Sequence, residues 1–284
     1  MSSRVRCMTL TSTEDNIAFS TENNQLMKVV VLMERPADEA KYDYLLGFPF
    51  HSRAIQGMDV CIKKNLVATC SIDKTVRIWN NSNPPTLELC ELYSDEAYSV
   101  AFHPSGFHII VGFTDRVRMM NVFTHPKKGL KSYQTIPIKG CREIRFSNGG
   151  QLFACTSQSN INVYKFYTGE NTQDMIYKMH LGPVRCLHWL DDDSGFISGG
   201  WDGNVCCWKL FPDKDDDKDV NPRFYFTIKS YQFACVACKP LDHTKPPETK
   251  TTTMYVTGTG SDKSIKTIED GKLTCSYETG SNIS

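Results

Sequence analysis

Apolar residues in this chain fall in short alternating runs separated by turn-forming clusters. The clearest stretch is His180–Lys209. Two alternating runs there, Val184–Trp189 and Gly195–Ser198, flank an acidic turn, and a Gly-Gly-Trp-Asp-Gly turn leads into Asn204–Trp208. Side chains that alternate with period two line opposite faces of a strand, so this stretch predicts three strands joined by tight turns. His51–Asn80 repeats the pattern. His180, Ser198, Asp202 and Trp208 stand at offsets of 18, 22 and 28 residues from the histidine, and His51, Thr69, Asp73 and Trp79 stand at the same offsets. Four residue types at three identical spacings define an internal repeat, and a repeat decides the fold class.

The residue types have a physical logic. An aspartate in the last turn can accept from the histidine ring, the histidine can reach the Ser or Thr hydroxyl, and the hydroxyl can reach the indole nitrogen. Each polar group is then satisfied as its sheet packs on a neighbour, which burial requires. On these residues the repeat resembles the WD-repeat family, with Trp79-Asn80 and Trp208-Lys209 at the Trp-Asp position. The second residue departs from the consensus in both copies. The resemblance implies an all-β fold, a WD-repeat β-propeller of about six four-stranded blades arranged radially. One domain is expected over residues 1–284, with frames near 4–50, 51–95, 96–137, 138–178, 179–229 and 230–280.

Third-strand ends fall at Trp79, Met120, Tyr164, Trp208 and Ile268, in steps of 41, 44, 44 and 60 residues. The long step holds two polar inserts, Phe211–Asn221 and Leu241–Thr253, both expected at loops. Lys272–Tyr277 supplies a last outer strand. Nothing before Arg4 offers a strand to complete the last blade, so an incomplete ring, part of a longer propeller, is expected.

Composition narrows the function classes. The chain has 284 residues, 40% of them apolar, enough for a substantial core. Net charge is zero with a pI near 7.0, which argues against nucleic acid or an anionic membrane as partner. No run approaches the ~20 apolar residues of a membrane span, and Met1–Asp15 has no continuous apolar core of the signal-peptide kind. Most of the 12 cysteines (Cys61, Cys70, Cys155, Cys186 and Cys235 among them) fall in apolar strand runs, which predicts free thiols in a reducing compartment.

Several constellations imitate chemistry. His180, Asp202 and Ser198 resemble a hydrolase triad, but no G-x-S-x-G elbow surrounds Ser198, and the trio recurs as His51, Asp73 and Thr69 with a tryptophan beside each. The acidic run Asp213–Asp219 has carboxylates at the first, third and fifth positions of a calcium loop, yet Lys218 and Phe224 occupy the places that need Gly and Glu. Cys235 and Cys238, with His243 nearby, form one C-x-x-C pair without a second pair at zinc spacing. Gly258–Lys263 lacks the spacing of a phosphate loop and precedes strand-like sequence. Basic residues are interleaved with acids throughout. No catalytic residue, cofactor, metal or small-molecule substrate is expected.

Beyond the generic repeat, ordered strings across Val5–Glu269 resemble the family of cilia- and flagella-associated protein 57, also called WD-repeat protein 65. They include Leu66–Ser71 with Val76–Asn80, Glu96–Val100 with His103–Gly106, Arg118–Asn121, and Ile197–Gly200. Gly140-Cys141-Arg142-Glu143 and Ser147-Asn148-Gly149-Gly150 are not WD consensus and are the specific part. The resemblance implies a non-enzymatic scaffold of the ciliary axoneme. Its members sit on doublet microtubules, help position or regulate inner dynein arms, and carry two propellers followed by a coiled coil. This chain matches part of the second propeller. The implied partners are tubulin, inner dynein arm subunits and other cilia-associated proteins. A competing expectation is a cytosolic adaptor recruiting substrates to a ubiquitin-ligase or trafficking complex.

Overall fold

The computed structural model describes residues 50–81, 86–124, 126–210, 222, 224–228, 232–238, 253–258 and 264–278, and the strand backbone of 5–10, 16–21, 26–30 and 42–44. The insert 211–221, most of the insert 241–253, His243 and the turn 259–263 lie outside the described residues. Every regular element described is a strand.

The strands form six four-stranded antiparallel meanders in chain order. Sheet A holds β1 (Val5–Leu10), β2 (Asn16–Thr21), β3 (Leu26–Val30) and β4 (Tyr42–Tyr44). Sheet B holds β5 (Ile55–Val60), β6 (Leu66–Ser71), β7 (Thr75–Asn80) and β8 (Thr86–Leu92). Sheet C holds β9 (Ala97–Phe102), β10 (His108–Phe113), β11 (Val117–Phe123) and β12 (Gly129–Ile136). Sheet D holds β13 (Ile144–Phe146), β14 (Leu152–Ser157), β15 (Asn160–Lys165) and β16 (Asn171–Tyr177). Sheet E holds β17 (Val184–Trp189), β18 (Gly195–Gly200), β19 (Asn204–Lys209) and β20 (Phe224–Thr227). Sheet F holds β21 (Phe233–Cys238), β22 (Thr253–Gly258), β23 (Ser264–Glu269) and β24 (Lys272–Glu278). This is the expected all-β, blade-by-blade architecture. One difference is local: β18 runs two residues past Ser198, because Gly199 and Gly200 still pair with Cys186 and Val184 of β17.

Period-two alternation explains why the middle strands read as continuous apolar runs. In β10, Ile109 and Val111 pack into a core shared by sheets B and C, whereas Ile110 between them packs into a core shared by C and D. In β14, Phe153 and Cys155 face sheet C and Ala154 faces sheet E. In β18, Phe196 faces sheet D and Ile197 faces sheet F. A strand buried on both faces needs apolar side chains at every position. Outer strands meet solvent on one face, and β12 accordingly reads GLKSYQTI with exposed Lys131, Ser132 and Tyr133.

First strands of consecutive sheets pack side by side from sheet B to sheet F: β5 on β9, β9 on β13, β13 on β17 and β17 on β21. From sheet B to sheet E, the link to the next sheet, or the first residue of the strand it enters, hydrogen-bonds back to the turn between the second and third strands of the sheet just left. Tyr93 N donates to Lys74 O at 2.9 Å, Gly140 N to Thr114 O at 3.0 Å, Val184 N to Gln158 O at 2.9 Å, and Ile228 N to Gly203 O at 2.9 Å. Links and second turns therefore share one face, here the link face. First and third turns share the opposite one.

Candidate functional site: tetrads, latches and an axial cavity

The structure brings the sequence-singled residues together in two tetrads. In sheet E, His180 Nδ1 lies 3.0 Å from Asp202 Oδ1, His180 Nε2 lies 2.8 Å from Ser198 Oγ, and Trp208 Nε1 donates to Ser198 Oγ at 2.7 Å. In sheet B, His51 Nδ1 lies 3.0 Å from Asp73 Oδ2, His51 Nε2 lies 2.8 Å from Thr69 Oγ1, and Trp79 Nε1 donates to Thr69 Oγ1 at 2.9 Å. One tautomer satisfies all of these contacts: Nδ1–H donates to the carboxylate, and Nε2 accepts from the hydroxyl. Asp202 also accepts from the backbone N–H of Leu181 and from Asn204, so each tetrad ties the incoming link to the second turn. Burial alone would raise the Asp202 carboxyl. The hydrogen bonds from His180, Leu181 and Asn204 outweigh it and hold the group at about 2. Ser198 is wholly buried, and its oxygen is engaged by both His180 and Trp208.

Sheet C lacks the tetrad, and Tyr93 stands where the histidine would be, four residues before its first strand, as His51 and His180 do. Its hydroxyl donates to the sulfur of Met120, the residue in the tryptophan position, at 3.2 Å. The equal spacing to the strand is the signal that identifies Tyr93.

A second group of contacts joins one sheet to the next on the face opposite the links. Lys64 Nζ donates to Gly106 O at 3.0 Å and sits 3.6 Å from the centroid of the Phe107 ring, tying B to C. His103 Nε2 donates to Gly150 O at 3.1 Å, tying C to D. Asp193 accepts from Asn148 N at 2.8 Å and Gly149 N at 2.7 Å, tying D to E. The string Ser147-Asn148-Gly149-Gly150 thus works between sheets. Gly150 has φ +72°, and a Cβ there would lie 2.5 Å from His103 Nε2, so glycine is required twice over.

The third feature is a cavity of about 530 Å³ lined by the first strands of sheets B to F. Arg145 of β13 reaches past sheet C to Asp59 of β5 (Nη1 to Oδ1, 3.0 Å) and also holds Glu143 (Nε to Oε1, 2.8 Å). The other oxygen of Asp59 accepts from Phe102 N of β9 at 2.7 Å. Burial pushes both carboxyls above their ordinary values, and Arg145 opposes the rise. Burial likewise lowers His188 in the same cavity, with Arg145 adding to the effect, so its neutral form is favoured. Asp59 and Arg145 are 86 positions apart, and nothing in their spacing announces the pair.

The cysteine pair does not converge. Cys235 is exposed and lines the axial cavity, whereas Cys238 packs against the core between sheets E and F. Cys235 is a free thiol in a strand, as expected, but its side of β21 faces the cavity and not a core. Cys61, Cys70, Cys155 and Cys186 are buried free thiols. Among the described residues no group of His, Cys, Asp and Glu is arranged to hold a metal ion.

Comparison with known proteins adds identity to this geometry. The family model "WD domain, G-beta repeat" matches residues 43–80 and 171–209, the two stretches that carry or adjoin the tetrads. Cilia- and flagella-associated protein 57 A of Tetrahymena thermophila is 45% identical over 213 residues, 74% of this chain and 16% of that relative. Cilia- and flagella-associated protein 57 of Mus musculus is 37% identical over 271 residues, 95% of this chain and 20% of that relative. Echinoderm microtubule-associated protein-like 4 of Homo sapiens is 26% identical over 194 residues, 64% of this chain and 19% of that relative. The chain spans a fifth or less of the length of these relatives. It is a WD40-repeat protein homologous over most of its length to cilia- and flagella-associated protein 57.

Proposed function

We propose that this chain is a non-enzymatic, cilium-associated docking module that sits on the axonemal doublet microtubule and helps position or regulate inner dynein arms. Its sheets form one propeller domain, and the two tetrads clamp its blades. The observation that carries this reading is the similarity, over 95% of the chain, to a relative named for cilia and flagella. The name of the more distant relative, which speaks of microtubule association, agrees with it. The geometry supports a scaffold in preference to an enzyme: the serine of the triad-like trio is sealed in the core and hydrogen-bonded to a tryptophan, with no room for a substrate. Rigid discs of this kind present loops and edges to partners, and function resides in those surfaces.

The test is a tagged copy followed through detergent and salt fractionation of motile cilia. Retention on axonemes, with release only when dynein is stripped or the microtubules are dissolved, is the expected result. Quantitative loss of intact protein into the detergent-soluble fraction would overturn the axonemal reading and favour a soluble adaptor.

A further inference from the structure

The link face carries a chemically distinct patch on sheets D and E. Leu181, in the link into β17, is 92% exposed, and Trp201, in the turn between β18 and β19, is 41% exposed. Trp201 N donates to Pro183 O at 3.0 Å and Leu181 N donates to Asp202, so the two apolar side chains stand on one braced corner. The guanidinium of Arg185 lies over the Trp201 ring at 4.8 Å, and that of Arg142 lies over the Tyr98 ring at 3.8 Å. Arg142 and Arg185 sit at the entries to β13 and β17, which pack side by side. Stacking on a ring holds a guanidinium in place while leaving its donors free to meet a carboxylate.

The charge on this face is unbalanced. Among the described residues its acids are already engaged, Asp95 by the Ser94 hydroxyl and Glu143 by Arg145 among them. Asp115 is held by two nitrogens of Arg116, Glu96 accepts from the Tyr98 hydroxyl, and Asp73 and Asp202 belong to the tetrads. Exposed Lys139, in the same link as Arg142, and exposed Arg53, in the link into β5, add positive charge to this face. Among the described residues, neither Arg142 nor Arg185 forms an ion pair with a carboxylate, although Arg185 is close enough to Glu143 to favour its ionised form.

We propose that this face docks an acidic segment of a partner protein. Carboxylates of the segment meet Arg142 and Arg185, and an apolar side chain between them packs on Leu181 and Trp201. Exposed tryptophan and arginine on a rigid frame are the residue types in which binding energy concentrates, and the excess positive charge steers an acidic partner to them.

The experiment is fluorescence anisotropy of a glutamate-rich peptide with a central phenylalanine, titrated with the full chain. Saturable binding that weakens as salt is raised is expected. Arg142→Glu together with Arg185→Glu should weaken it at least about tenfold, and Trp201→Ala should weaken it several-fold. Lys127→Glu with Lys131→Glu, an equal charge change at the outer strand β12 and the turn before it, should leave it unchanged. Arg142→Gln with Arg185→Gln gives the same reading should the reversals lower the melting temperature. The proposal fails if the peptide does not bind, if the arginine variants bind as well as wild type, or if the control variant loses as much. It also fails if a lysine-substituted peptide or a uridine-rich RNA oligonucleotide binds as tightly.

Discussion

The two tetrads, in sheets B and E, are alike at their polar ends and different at their tryptophans. Histidine to aspartate is 3.0 Å in both, and the side chains of these pairs are 6% exposed or less. Trp208 is 1% exposed and boxed by Tyr177, edge-on at 5.3 Å, and by Phe196, stacked at 6.3 Å. Trp79 is only half-buried and stacks on Phe50, itself 50% exposed. The cause is the company each sheet keeps. Sheet E has a described core on each face, one shared with D and one with F. Among the described residues sheet B has one, shared with C, and its first strand shows Ile55, Met58 and Val60 to solvent. The same local code therefore makes the same hydrogen bonds in two places, and the surroundings set how much apolar burial comes with them.

The comparison breaks most easily at the indoles. Trp208→Ala should cost about 3–5 kcal/mol, the range for emptying a packed aromatic site, and Trp79→Ala roughly half of that. Urea denaturation of the two variants measures both, and equal losses would show that the neighbours of sheet E add nothing. The polar ends should behave oppositely. Asp202→Ala and Asp73→Ala each strand a buried histidine nitrogen and a backbone N–H, so each should cost ~1–3 kcal/mol with little difference between them. Either variant as stable as wild type would undercut the clamp reading of that tetrad.

The smallest effect is in acid. Asp202 titrates at about 2 in the folded chain, and Asp73 below its ordinary 3.8, where hydrogen bonds from Thr75, His51 and Ser52 outweigh the effect of burial. A carboxyl with a depressed folded value stabilises the fold at pH above its unfolded value, and that contribution drains away as pH falls through the folded one. Melting temperature should therefore fall between about pH 4 and pH 2, and Asp202→Asn should flatten that segment. Burial also lowers His51, so sheet B should begin to lose stability from about pH 6.5 downward, before the carboxylates respond. A wild-type profile level down to pH 2 would contradict both statements.

Much of the fold was legible because it is written in short-range terms. Period-two runs marked β17 residue for residue, and the offsets 18, 22 and 28 marked tetrads whose members lie within one sheet. The family-specific strings were legible as unusual, but their work was not. Ser147-Asn148-Gly149-Gly150 reads as a turn, and only packing shows Asp193 of the next sheet capping its amides. Gly140-Cys141-Arg142-Glu143 reads as a link, and only packing puts Glu143 on Arg145 and Arg142 over Tyr98. The Tyr93–Met120 contact in sheet C was hidden because both residue types differ from the repeat they replace.

By itself the sequence determined the strands, the turns and the hydrogen-bond partners inside the two repeats that carry tetrads, because those depend on alternation and on spacings shorter than one blade. Tertiary structure alone decided which tryptophan is sealed and which faces of the middle strands meet which core. It also joined Asp59 to Arg145 across an intervening sheet. Those outcomes depend on which sheets become neighbours, and residues 86 positions apart carry no local pattern that says they will meet.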